Sequence, residues 1–417
     1  MINTPYEKRK KYFAANKTAT TVFVTILVIA ILVFIFKSTN RKKNDSLQIS
    51  QYKSFGSSSN SQLNSNKKTL DSLKQFSSES SRQKSISIAF SQILPTPPVN
   101  DIKVDQYKRV WIATEKGVYK LENDELTAFT QENGKYPFSQ ATCIESDGKN
   151  IWTGSLFGIC RFNESGKFVN ETNSFSLPSN VIWDILWDGE QLWISTQKGV
   201  AFFKSLIIDN LINGITSDKT AEDNSTKILD KTTTNEGLQS SWCTNIARYS
   251  IPGHSNWLAV THDNGLSVLN LAFPAADPRS WKNINHAKSY ISRPIHDMVY
   301  DGNNIWLGTP TGLMMINTKL IDFPGNFSTE MISFSELHGL PSNNINSLVY
   351  HKNTIWLGTS NGLARLRNNQ IQIISDISGK KPENIRKLAL QGDGDNITLL
   401  WIGTDSGIQF INLQTAE

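Results

Sequence analysis

Cysteine is scarce: Cys143, Cys160 and Cys243 are the only three in 417 residues, and their spacing matches no metal site. That excludes a disulfide-stapled fold, and each thiol reads as a small buried residue in a strand. Histidine is equally sparse, six scattered residues, of which His286, His338 and His351 fall in turns or outer strands. No Gly-rich phosphate loop, G-x-S-x-G elbow or paired-cysteine motif occurs. The sequence therefore assigns no catalytic residue, no metal ligand and no cofactor. Amphipathic helices of useful length are also missing from the main body of the chain, which removes helical repeats from consideration.

An excess of positive charge is missing where a nucleic-acid partner would need it. The net charge of +5 belongs to the N-terminal region, because residues 1–84 hold 15 of the 42 Lys and Arg but 4 of the 37 Asp and Glu. The remaining chain holds 27 basic against 33 acidic residues, so no nucleic acid is expected as a partner. Within the basic region, Ala19–Phe36 is an uncharged apolar run of 18 residues, long enough to span a hydrocarbon core of about 30 Å. Residues 1–18 read as a short cytoplasmic tail and 19–37 as an uncleaved transmembrane signal anchor, since no small-x-small cleavage site follows. Lys8, Arg9, Lys10, Lys11 and Lys17 precede the span, and Lys37, Arg41, Lys42 and Lys43 follow it; the positive-inside rule favours a cytoplasmic N-terminus by a narrow margin. Residues 38–84 read as a flexible linker, with 13 Ser among the 41 residues from Asn44 to Lys84 and too few large apolar side chains to bury a core.

What the chain has in abundance is one short phrase written seven times: an apolar residue, Trp, a small polar cluster, then Gly and more apolar residues. The Trp residues are Trp111, Trp152, Trp193, Trp257, Trp306, Trp356 and Trp401, separated by 41, 41, 64, 49, 50 and 45 residues. A period in the forties indicates propeller blades or helical repeats, and period-two runs such as IWLGT joined by Gly-bearing turns select strands. The expected fold is all-β: a seven-bladed β-propeller of four-stranded blades over residues 85–417. Each Trp fills the wedge between blades, and the Gly six residues later takes the hairpin conformation that other residues resist. The fourth copy, with eight residues from Trp257 to Gly265, reads as a hairpin insertion, and Leu206–Ser225 as a polar insertion. The seventh unit supplies three strands and no fourth before Glu417, so Ser85–Gln92 (SISIAFSQ) is expected to complete the last blade and close the ring.

The phrases LPSNVIWDILWDGEQLWISTQKGV and LPSNNINSLVYHKNTIWLGTSNGL resemble the two-component regulator propeller repeat, and the resemblance spans all seven units. It implies an extracytoplasmic, ligand-binding sensor-type propeller, periplasmic or extracellular, on a single-pass membrane protein. Kinase, helix-turn-helix or cyclase output domains of the larger family members have no counterpart here. The implied partners are a glycan, peptide or protein ligand and a separate signalling or envelope protein, with the membrane met by the N-terminal helix. The chain is also similar to streptogramin lyases, seven-bladed enzymes that use a metal with His and Glu on the central face. The enzyme reading stays the second one, because the central positions offer His296 but no nearby Glu.

Candidate ligand-binding residues follow from a dipeptide recurring between two apolar anchors of the inner strands: Trp183-Asp184, Thr244-Asn245, His296-Asp297, Asn346-Ser347 and Arg386-Lys387. Polar, varied side chains converging on one axis have the form of a binding site. With Trp242 in the loop entering the fourth blade and Arg293 ahead of His296, the expected site comprises Trp183, Asp184, Trp242, Asn245, Arg293, His296, Asp297, Asn346, Arg386 and Lys387.

Overall fold

The structure is a computed structural model, and it describes residues 84–163, 165, 168–172, 177–204, 230–233, 235, 237–250, 256–275, 277–285, 294–317, 331–377, 383–392 and 396–416. The expected tail, anchor and almost all of the linker lie outside the described residues, as do Leu206–Ser225, Arg293 and His286. Contacts divide the chain between Gln75 and Phe76, and every described residue lies in the second unit. No helix among the described residues is long and apolar enough to cross a membrane.

The seven repeats fold as seven antiparallel sheets, the blades of a propeller. Blade 1 consists of Val99–Val104, Val110–Thr114, Gly117–Glu122 and Glu125–Phe129. The inner strands of blades 2 to 7 are Cys143–Ser146, Ile182–Trp187, Cys243–Ser250, Asp297–Tyr300, Ile345–His351 and Ile385–Gln391. The face on which the inner strands begin, and which carries the hairpins between second and third strands, is called the upper face below.

Alternation builds the core. Seven apolar clusters lie in the seven seams, each made by two neighbouring blades and each holding one repeat Trp. All seven rings are at most 6% exposed, as expected for a wedge filler. Five of them are also oriented by a hydrogen bond: Trp111, Trp152, Trp193 and Trp306 donate their indole N–H to Asp105, Asp147, Asp188 and Asp301, at 2.9, 2.8, 2.8 and 2.6 Å, and Trp401 donates to Gln391 at 2.7 Å. In blades 1, 2, 3 and 5 the turn Asp before the second strand thus sets the angle of the ring that packs the next seam. On the upper face the hairpin Gly residues have the expected positive φ, +115° at Gly117 and +142° at Gly407.

The ring closes through the N-terminal segment, with a different assignment of strands than the sequence pattern indicates. Lys84–Ile88 pairs parallel with Gln370–Asp376, the outer strand of blade 6, making that sheet five-stranded. Blade 7 is completed by Leu94–Pro95 alone, antiparallel to Gly407–Asn412, assisted by a bridge from Phe90 to Ile411 and by Ser91 N–H donating to the Phe410 carbonyl at 2.9 Å. The reason is composition. Ile86 and Ile88 need an apolar seam and find it in the cluster between blades 6 and 7. Pro95 has no N–H to donate, which suits an outermost strand, and Pro97 and Pro98 prevent its extension.

Two further differences concern blade 4 and His351. The extra residues near Trp257 lie in the strands: Asn256–His262 has seven residues, and the hairpin turn keeps the two residues Asp263 and Asn264. An insertion of two residues in a ladder preserves which side chain faces which side, so it lengthens the blade without exposing its core. His351 ends the inner strand of blade 6 and is buried.

Candidate binding face

Five inner strands share one irregularity. Their register against the second strand shifts between Val99 and Asp101, Ile182 and Asp184, Cys243 and Asn245, Ile345 and Ser347, and Ile385 and Lys387. Such a bulge leaves two successive residues opposite one, so both polar residues of the dipeptide turn from their own ladder toward the next blade. They do so at two levels.

At the upper level the first residue of the dipeptide donates to the carbonyl of the apolar residue just ahead of the next dipeptide. Asn100 Nδ2 reaches the Ala141 carbonyl at 2.8 Å, Thr142 Oγ1 that of Ile182 at 2.7 Å, and Asn346 Nδ2 that of Ile385 at 2.8 Å. His296 Nδ1 lies 2.9 Å from the Ile345 carbonyl, and since a carbonyl only accepts, the proton is on Nδ1. Arg386 Nε donates to the Val99 carbonyl at 2.6 Å, and its Nη atoms reach Asn100, Glu115 and Asp405 at 2.8, 3.0 and 3.0 Å.

At the lower level the second residue accepts from the next blade. Asp101 accepts from Ile144 N–H at 2.9 Å, Asp184 from Ile246 N–H at 2.8 Å, and Asp297 from Leu348 N–H at 2.9 Å. Ser347 accepts from Leu388 N–H at 3.1 Å and donates to Asp297 at 2.8 Å. Asn245 Nδ2 lies 3.5 Å from Asp297. Lys387 Nζ stands 3.4 Å from Asp101 and 3.8 Å from Asp297. Burial opposes the charge on Lys387, but Asp101, Asp297 and Asp184 together raise its pKa above the ordinary value. Lys387 stands among three carboxylates, with Lys103, paired to Glu145, as a second cation near Asp101 and Asp184, and Asp184 shows the shortfall. Burial, with Asp101 and Asp297 adding repulsion, pushes its carboxyl up to about 7 against the pull of Lys387 and the Ile246 N–H.

The structure thus brings Asp184, Asn245, Asp297 and Lys387 into one polar ring, with Trp183, His296, Asn346 and Arg386 directly above it. Most of them are engaged in joining blades. Asn100-Asp101 and Thr142-Cys143 complete the set, although the sequence reading passed over them. Their signal was available: Val99-Asn100-Asp101-Ile102 and Ala141-Thr142-Cys143-Ile144 have the same apolar, x, x, apolar form as Ile182-Trp183-Asp184-Ile185.

Two upper-level residues do not follow the pattern. Thr244 Oγ1 pairs with Thr261 of its own blade at 2.9 Å. Trp183 makes no latch at all: its indole N–H is buried without a hydrogen-bond partner, and its ring stacks on Trp242 with centroids 6.5 Å apart and planes at 19°. Trp242 is 44% exposed on the upper face. The seams between blades 3 and 4 and between blades 4 and 5 therefore lack the upper latch that ties the five others, and the first of the two carries the stacked rings.

Elsewhere, one His–Ser pair has the look of a catalytic contact but a structural role. His262 Nε2 lies 2.9 Å from Ser267 Oγ, a spacing that invites a nucleophile reading. However, the Asn264 N–H donates to His262 Nδ1 at 3.1 Å and Ser267 Oγ donates to Asn283 at 2.5 Å. Nε2 must then carry the proton and donate to Ser267, so the imidazole has no lone pair to deprotonate the hydroxyl. The three cysteines are buried thiols. Among the described residues no group of three His, Cys, Asp or Glu is placed to hold a metal ion. A polar groove on the lower face, lined by Tyr107, Arg109, Glu122, Lys149 and Asn163 among others, lies away from the ring.

A family model, that of the two component regulator propeller, matches residues 339–361, which cover the approach loop, inner strand and second strand of blade 6. The chain carries a two-component regulator propeller repeat. No curated protein matches the chain. Among solved structures it is similar to the extracellular domain of the one component system BT4673 of B. thetaiotaomicron, with TM-score 0.57 and 19% identity over 78% of this chain and 40% of that one. The extracellular domain of the hybrid two component system BT3049 of the same organism gives TM-score 0.55 and 22% identity over 78% and 42%. PorZ, a surface component of the type-IX secretion system of Porphyromonas gingivalis, gives 0.55 and 15% over 77% and 48%. At these identities the likeness is one of fold, and the chain spans less than half the length of each.

Proposed function

We propose that the chain is a membrane-anchored, extracytoplasmic propeller that binds a glycan, peptide or protein ligand on its upper face and acts with a separate signalling or envelope protein. The observation that carries the reading is the open seam. Five seams are latched at their upper level, whereas at the rim between blades 3 and 4 Trp183 and Trp242 instead place two stacked rings, one of them 44% exposed. Aromatic surface beside convergent polar groups is the usual form of a recognition site. The repeat in blade 6 and the likeness to extracellular sensor domains support the same assignment.

The test is a thermal-shift screen of the full chain against envelope glycans, peptides and divalent cations, with Trp242→Ala beside the parent. Stabilisation by a glycan or peptide that is lost in the variant is the expected result. Silence from every probe, or stabilisation that ignores Trp242, would remove the upper-face reading.

A further inference from the structure

The seam between blades 3 and 4 joins three features that no other seam combines. Its rim carries the Trp183–Trp242 stack. Its upper level contains an indole N–H with no acceptor, whereas the corresponding side chains of five other blades donate to the next blade. One residue along the same strand is Asp184, for which the described residues supply no ion-pair partner, since Lys387 is drawn to Asp101 and Asp297. Asp263, at the hairpin tip of blade 4, adds a second carboxylate beside Trp242, whose carbonyl accepts its N–H at 3.3 Å.

We propose that this seam is the subsite for a lysine or arginine side chain presented by a protein or peptide partner. The inference rests on the reading that the upper face binds a ligand. The aliphatic stem and cationic head lie along the exposed Trp242 ring and its stacked neighbour, the head is drawn toward Asp184 and Asp263, and a backbone carbonyl of the partner accepts the Trp183 N–H. Each element of such a segment answers one deficit of the seam: a cation for the excess carboxylate, an acceptor for the orphan donor, and apolar surface for the exposed ring. A neutral sugar would cover the rings and leave the carboxylates as they are. Residues 85–417, with 27 basic against 33 acidic side chains, also favour encounter with a basic partner.

The experiment titrates the full-length chain in detergent with a fluorescein-labelled lysine-rich peptide, the same peptide acetylated on every lysine, and a neutral maltodextrin, read by anisotropy. The expected result is binding of the unmodified peptide alone, weakened about tenfold by Trp242→Ala, a change within the range of a cation–π contact. Asp184→Asn retains an acceptor for the Ile246 N–H, so it should still unfold in one cooperative transition while also losing about tenfold in affinity. Glu190→Gln, on the lower face, should stay within about twofold, which separates a site from general attraction to an acidic protein. Equal binding of the acetylated peptide, or parent-like affinity in both seam variants, would overturn the inference. Trp242-dependent binding of the dextrin alone would overturn it and leave the upper face as a ligand site. Silence here together with silence in the wider screen would remove both.

Discussion

Arg386 of the last inner strand donates through Nε to the carbonyl of Val99 on the first, 2.6 Å across the point where the ring closes. The two residues are 287 positions apart, and the same guanidinium also holds Asn100, Glu115 and Asp405. A planar fork with five donors can serve four partners at once, which an ammonium cannot. Arg386→Lys should therefore destabilise the propeller almost as much as Arg386→Ala, each by about 2–3 kcal/mol, the scale of lost charge-assisted hydrogen bonds. Chemical denaturation checks it, and a Lys variant as stable as the parent would show that the closure does not depend on the fork.

The same junction depends on a close approach of backbone. A Cβ added at Gly403 in blade 7 would stand 2.5 Å from Val99 Cγ1 of blade 1. Gly154, Gly308 and Gly358 meet Ile182, Ile345 and Ile385 of the following blade in the same way. Gly403→Ala should destabilise by roughly 1–3 kcal/mol through overpacking. Val99→Ala should be destabilising alone by a comparable amount, yet the pair should lose less than the sum, because the second change removes the clash made by the first. Additive losses in that double-mutant cycle would rule out contact across the junction as the cause.

Legibility in the sequence followed how local the determining physics is. The repeat Trp, the hairpin Gly and the apolar alternation act within one blade, and they were enough to count blades and place the seams. The N-terminal segment SISIAF needs an apolar seam, but which sheet edge it joins depends on contacts between Ile86, Ile88 and the clusters of two blades, so its expected place on the last blade was not the one it takes. Likewise the polar dipeptides were found, while their use as latches depends on carbonyls some 40 to 50 residues away, as from Thr142 to Ile182 or from His296 to Ile345. The open seam could be recognised only after the closed ones were known. Trp183 looks like one more polar-level residue until its neighbours' hydrogen bonds are compared.

The two parts of the strap should separate experimentally. Among the described residues, removing those before Phe90 deletes the fifth strand of blade 6 and spares blade 7, whereas removing those before Thr96 also strips the outer edge of blade 7. The second truncation should expose the amides of Gly407–Asn412 to hydrogen exchange and lower the melting temperature further than the first. Phe410 is the residue to follow, since its N–H donates to Ser91 Oγ at 2.8 Å. If both truncations protect Phe410 equally, Leu94–Pro95 is not what completes the last blade.

Two buried groups should give the stability opposite dependences on pH within one window. The Asp184 carboxyl is pushed from 3.8 up to about 7, mainly by burial, so between those values the folded chain keeps a proton that the unfolded chain has released. Its contribution is fully present below about pH 4 and is lost as the pH rises through about 7. Burial pushes His262 from 6.5 down to about 4, with Asp263 opposing, so there the unfolded chain binds a proton that the folded one does not. That contribution is present above about pH 6.5 and is lost as the pH falls toward 4. Each slope is limited to about 1.4 kcal/mol per pH unit, and in the parent the two oppose one another. Asp184→Asn should leave a stability that rises with pH between 4 and 6.5, and His262→Gln one that falls over the same range. Denaturant midpoints measured across that range decide the matter: if both variants track the parent, neither group carries the shift that its surroundings impose.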